Sequence, residues 1–321
     1  MNLHDNELHY AQGVFLGLEA PYSDLATARY VVLPIPYDAT ACYHKGTANG
    51  PAAIIAASPH MEWFDEELKL EFHLPGIATV AAVDPADTPE QEMQRIYERA
   101  AALYALSAGG GEGGGPITNI SSSYLKSAYK KFVIGLGGEH SVTAPLVRAA
   151  IEAHGPLAVL HVDAHADLRD SYTGGRCSHA SVMARVLEMT DRICQVGVRS
   201  FSAEEYAAHG NLIDSRITTA QVRSDPRWLD RVVETLGGLD AKVYLTIDID
   251  GLDPAIAPGT GTPEPGGLSW QEICSLVERV CRDCELVAAD IVEVMPLPGN
   301  TITEFLAARL AAKIIAHHFF N

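Results

Sequence analysis

Residues 157–170 read LAVLHVDAHADLRD: an apolar run with the composition of a buried strand passes directly into aspartate and histidine. In an extended segment, residues of like parity share a face, so Asp163, His165 and Asp167 project together just past the strand. His161 has the same parity but stays within the strand, where it reads as core or as support for a ligand. Two other strand ends repeat the pattern. VYLTID (243–248) opens into DIDGLDP with Asp248 and Asp250 on one face, and FVIGL (132–136) ends in GGEHS, delivering His140 after two glycines.

The remaining candidate strands are YVVLPI (30–35), ICQVGV (193–198), NLIDSRI (211–217) and ELVAADIVEV (285–294). Like LAVLHV, they are apolar on both faces, as expected of strands covered by helices on both sides. Between them lie stretches of helical period such as SVTAPLVRAAIEAH, SHASVMARVLEM, PRWLDRVVETL, SWQEICSLVERVCRD and TEFLAARLAAKIIAHH; Ser202 followed by Glu205 is a capping-box start. This alternation predicts a single α/β domain over residues 1–321, a three-layer αβα arrangement around a mainly parallel, doubly wound sheet, with a closed eight-stranded barrel as the alternative. In either fold chemistry gathers at the C-terminal ends of the strands. A glycine-rich stretch at about 107–124, containing GGGEGGG (109–115), reads as a flexible surface insertion.

Four carboxylates converging in a half-buried crevice repel one another and lose hydration, so several would have to take up protons at neutral pH. Two divalent cations remove the conflict. Asp163, Asp167, Asp248 and Asp250 balance two charges of +2, and His140 and His165 add neutral nitrogen donors. Oxygen-rich ligation with imidazole and no thiolate suits manganese and disfavours calcium.

Composition narrows the partners. With 23 basic and 41 acidic residues the net charge is −18, which argues against nucleic acid and suits a cationic substrate. The N-terminus shows no targeting pattern and no run of 18 apolar residues occurs, so a soluble, cytoplasmic protein with no membrane partner is expected. Six scattered cysteines read as reduced thiols; Cys281 and Cys284 form the one C-x-x-C, with no second pair close enough for a structural zinc site.

GGEHS, DAHAD, SHAS, DIDGLDP and DIVEV, in this order over residues 137–294, resemble the ureohydrolases, the family of arginases and agmatinases. The resemblance extends from IPYDATACYHKGTANGPAAI near the N-terminus to ITEFLAARLAAKII near the C-terminus. It implies a hydrolase with two Mn2+ per chain, assembled as a homotrimer or homohexamer, acting on a small cationic guanidino compound. One ion would be held by His140, Asp163, Asp167 and Asp248, the other by Asp163, His165, Asp248 and Asp250. Water ionised by the pair would attack the guanidino carbon, oriented by Asp167. His179 in SHAS matches the family position for proton transfer to the departing amine, and Glu293 in DIVEV the carboxylate that pairs with the guanidinium.

RDSYTGGRCSHAS lacks the asparagine-bearing pattern with which arginases hold an amino acid, which favours agmatine, cleaved to putrescine and urea. SHAS in place of SHGT is similar to forms acting on N1-aminopropylagmatine, the alternative substrate. Guanidinobutyrate, guanidinopropionate, arginine and formiminoglutamate follow. His44, Tyr172 and Arg169 are candidates for the entrance, though each also reads as an ordinary loop residue. An inactive metal-binding regulator would have lost His179 or Glu293, and a single-zinc deacylase the second histidine and the paired aspartates; all are present.

Overall fold

The computed structural model describes residues 13–106 and 130–321; the glycine-rich stretch at 107–124 lies outside them. In chain order the elements are β1 (Tyr30–Ile35), α1 (Gly50–Ala57), β2 (Phe64–Asp65), β3 (Leu70–Glu71), β4 (Ile77–Thr79), α2 (Pro89–Ala105), β5 (Phe132–Gly137), α3 (Thr143–His154) and β6 (Ala158–Val162). There follow α4 (Val182–Leu187), β7 (Ile193–Val196), α5 (Ala203–Ser215), α6 (Thr219–Ser224), α7 (Trp228–Leu236), β8 (Lys242–Asp248), α8 (Trp270–Asp283), β9 (Glu285–Val292) and α9 (Ile302–Phe320).

Seven strands form one sheet in the order β4-β1-β5-β9-β8-β6-β7, and every pairing is parallel. The sheet is open, with β4 and β7 at its edges, so the doubly wound arrangement holds and the barrel does not. Burial explains the sequence character of the strands: β1, β5, β6 and β7 are buried at every position. Two apolar cores flank the sheet. One includes Ile54 of α1, Trp228 of α7, Ile273 of α8 and Ile314 of α9; the other includes Ile96 of α2, Leu146 of α3 and Met183 of α4. Cys281 and Cys284 pack into the first core as free thiols. Among the described residues no helix is long and apolar enough to cross a membrane.

One expected strand is not a strand. NLIDSRI begins in the second half of α5, and only Ile217, past the helix end, pairs with the sheet, through an isolated parallel bridge to Val196. The reason is local. Ser202 and Glu205 form a complete capping box that starts α5 nine residues upstream of the apolar run, and the helix carries through a kink at His209 to bury Ile213. The edge strand β4, only three residues long, went unforeseen.

Register sets the site. Leu136 of β5 and Ile247 of β8 both lie beside Ile291 of β9, and Val162 of β6 lies beside Ile247. Four neighbouring strands therefore end at one level, and the chain emerges from them as Gly138-Glu139-His140, Glu293, Asp248-Ile249-Asp250 and Asp163-Ala164-His165. The crevice above the point where strand order reverses is where such sheets bind ligands.

Candidate metal centre and active site

All six expected ligands meet above β5, β8 and β6. His140 Nδ1 lies 3.0 Å from Asp163 Oδ2, 3.3 Å from Asp167 Oδ2 and 3.2 Å from Asp248 Oδ2. A second group adjoins it, with His165 Nδ1 3.0 Å from Asp250 Oδ2 and 3.5 Å from Asp163 Oδ1. Asp163 belongs to both. Asp248 is seen at the first, and its neighbour Asp250 at the second.

Three of the carboxylates are aimed by backbone N–H groups, two from the residue two positions on and one from the neighbouring strand end. Asp163 Oδ1 accepts from His165 N, Asp248 Oδ1 from Asp250 N and Asp250 Oδ1 from Ala164 N, which leaves each Oδ2 pointing inward. Asp167 is held at a positive φ of 55°, its carbonyl accepting from Met183 N and Ala184 N at the start of α4.

Hydrogen-bond accounting then fixes the histidine protons. Thr246 Oγ1 donates to Asp290 Oδ1 at 2.6 Å, so it accepts from His140 Nε2 at 3.0 Å. Nδ1 of His140 is buried and faces three carboxylate oxygens; burial acts against a charge on the ring, but Asp163, Asp167 and Asp248 outweigh it and push the imidazole well above its usual range. His161 differs. Gln195 Nε2 donates to Ala166 O, which orients the amide, and also to His161 Nδ1; Nε2 of His161 must then carry its proton toward Asp163 Oδ2, 2.8 Å away. A nitrogen bearing a proton is no ligand, so His161 supports Asp163 rather than joining it.

The electrostatics describe a cluster in deficit of positive charge. Burial and then the Asp250 and Asp163 charges push the Asp248 carboxyl well above the usual carboxylate range; burial, followed by Asp163, raises Asp250 as well. Burial acts on Asp163 too, but the surrounding His161, His140 and His165 outweigh it and hold that carboxyl well below its usual range. An imidazole nitrogen ringed by carboxylate oxygens, beside a second imidazole with two more, is a donor set that fits divalent cations.

Glu293 sits at the same rim with a positive φ of 62°. Its Oε1 accepts from His140 N at 2.8 Å. Burial and the neighbouring Glu139 push its carboxyl well up, and among the described residues no lysine or arginine pairs with it. His179 begins the turn leading into α4, with Thr40 Oγ1 3.4 Å from Nδ1 and Cys42 Sγ 3.5 Å from Nε2.

These groups open into a cleft of about 300 Å³ whose lining includes His165, Asp167, Arg169, Tyr172, His179 and Glu293. His44, a candidate for the entrance, is not part of that lining; its ring packs on Tyr43. A larger cavity of about 390 Å³ lies between α2, α3 and α4, away from the ligands. Sequence reading passed over Glu139, just past the end of β5, and Asp290, within β9, although both stand inside the quoted motifs. It also passed over Thr40, Gln195 and Thr246, whose neutral side chains leave no pattern to follow.

An open parallel sheet whose carboxyl edge gathers four aspartates and two histidines places this chain among α/β proteins with a candidate metal site. Residues 28–317 match the sequence model of the Arginase family, and the chain belongs to that family. It is 35% identical over 310 residues to the N(1)-aminopropylagmatine ureohydrolase of Synechocystis sp., covering 94% of this chain and 93% of the relative. It is 30% identical over 298 residues to the agmatinase of Pyrococcus horikoshii, covering 93% and 95%. The crystal structure of agmatine ureohydrolase of Thermoplasma volcanium superposes with a TM-score of 0.79 at 29% identity, covering 97% of this chain and 96% of that one. The protein is thus a ureohydrolase, an enzyme acting on guanidino substrates.

Proposed function

We propose that this ureohydrolase converts N1-aminopropylagmatine to urea and spermidine, with agmatine as the second substrate. The sequence alone ranks the two the other way. The higher identity to an aminopropylagmatine ureohydrolase, 35% against 30% for an agmatinase over similar coverage, supports the reversed order.

The observation that carries the reaction class is the pairing of a cation-deficient donor nest with an unpaired carboxylate at its rim. His140, Asp163, Asp167 and Asp248 would hold one ion, and Asp163, His165, Asp248 and Asp250 the other; manganese suits this oxygen-rich set. When bound, such ions neutralise the carboxylates and lower the pKa of water from about 15.7 toward 7, so that hydroxide is available at neutral pH. Glu293 Oε1 is tied to His140 N, which leaves Oε2 to accept from a guanidinium and set its plane. Asp167 accepts a hydrogen bond from the attacking oxygen and keeps it aligned with the guanidino carbon. His179 gives the departing amine its proton, without which the C–N bond does not break. Attack adds one water; urea and a free amine leave.

Urea release by the manganese-loaded enzyme from N1-aminopropylagmatine, agmatine, arginine, guanidinobutyrate and guanidinopropionate tests this reading. The expected order of kcat/KM places N1-aminopropylagmatine first and agmatine second, with two metals per chain by atomic emission. Preference for arginine or a guanidino acid, or one metal per chain, overturns it.

A further inference from the structure

Glu139 is completely buried beside the site and has no part in the chemistry above. Its backbone N–H donates to Tyr37 O at 2.7 Å, which holds it against the loop after β1. Its carboxyl oxygens accept from three donors: Oε1 from Thr40 Oγ1 at 2.5 Å and Ser141 Oγ at 2.6 Å, Oε2 from Thr40 N at 2.7 Å; burial pushes the carboxyl up and these bonds act to lower it. Thr40 is thereby gripped at both backbone and side chain.

A threonine hydroxyl has one proton. Here it points at Glu139, so Thr40 Oγ1 presents only lone pairs to His179, lying 3.3 Å from its backbone N–H and 3.4 Å from Nδ1. Both of those nitrogens must donate. Nδ1 of His179 therefore carries a hydrogen. Nε2, beside Cys42 Sγ, remains as the ring nitrogen that takes up and gives away a proton.

We propose that Glu139, acting through Thr40, is a positioning pair that fixes the tautomer and the orientation of His179. The idea rests on the proton-transfer role assigned to His179 above. Its physical logic is that three separate chain segments meet here: the loop after β1, the loop after β5 and the turn into α4. A free imidazole on such a turn would exchange tautomers and swing; a fixed acceptor at Nδ1 prevents both. The buried carboxylate keeps the hydroxyl from turning round and donating to the ring.

Neutron diffraction from deuterated, metal-loaded crystals reads the proton positions directly. A deuteron is expected on His179 Nδ1, and the Thr40 deuteron is expected to point at Glu139. A bare Nδ1, or a Thr40 deuteron directed at His179, overturns the proposal. Kinetics supply the second arm. Thr40→Val should lower kcat by about 10- to 100-fold with KM within about twofold, and Thr40→Ser should restore most of it. Glu139→Gln should act in the same direction. Unchanged kcat in Thr40→Val, or a loss matched by a loss of bound metal, also overturns the proposal. If no guanidine yields urea, the functional reading fails while the neutron result still decides the tautomer.

Discussion

Asp163 shows how much one side chain depends on its neighbours. It is wholly buried and shared by both metal groups, yet it remains a carboxylate because three histidines surround it. The most tightly defined of them is His161, whose tautomer follows from Gln195 and whose Nε2 donates at 2.8 Å. Replacing that donor leaves the ligand in place but frees it to rotate. His161→Leu is expected to weaken metal affinity by about 10- to 100-fold, measured by competition with a chelator, with urea release recovering in excess manganese. Unaltered affinity would show that His161 merely fills space. Parity had placed His161 on the same face as Asp163, but no sequence pattern says which nitrogen bears the proton. That depends on Gln195, 34 residues away on the neighbouring strand.

At the scale of elements, the loop after β5 is the tightest joint in the site. Gly138 N donates to Ile35 O, Glu139 N to Tyr37 O, and Gly138 O accepts from Glu293 N, so one loop ties the ends of β1, β5 and β9 together. A Cβ at Gly138 would overlap the Tyr37 carbonyl group, with Tyr37 N at 2.8 Å, and the neighbour is backbone that cannot rotate away. Gly138→Ala should therefore cost about 1–3 kcal/mol in chemical denaturation and also displace His140, lowering metal affinity. Retention of both properties would mean the loop is slack. The two glycines ahead of His140 were legible in the sequence, whereas α5 was misread. A short apolar run such as NLIDSRI fits a strand or a helix equally well, and the cap that decided between them lies well upstream.

For the molecule as a whole, several polar groups are buried in the form that suits the fold and not the solvent. Burial, helped by the charge of Arg29, pushes the His318 ring down to about 3, and burial with Lys130 and Lys242 pushes His154 down to about 4. In the unfolded chain both titrate near 6.5. Between about pH 6.5 and 4 these two sites thus bind more protons in the unfolded state than in the folded one, so their contribution to stability falls as pH drops through that window. Denaturation midpoints at several pH values check the sign. His318→Gln should flatten the slope, and an equal slope would remove His318 from the account. The strand and helix alternation and the six residues that gather at the carboxyl edge of the sheet were all legible in the sequence, because parity and apolar runs are local properties of the chain. Strand order, the common level at which β5, β9, β8 and β6 end, and the grip of Glu139 on Thr40 were decided only by the tertiary structure. They are contacts between residues some 40 to 150 positions apart, and a one-dimensional pattern carries no record of which segments pack side by side.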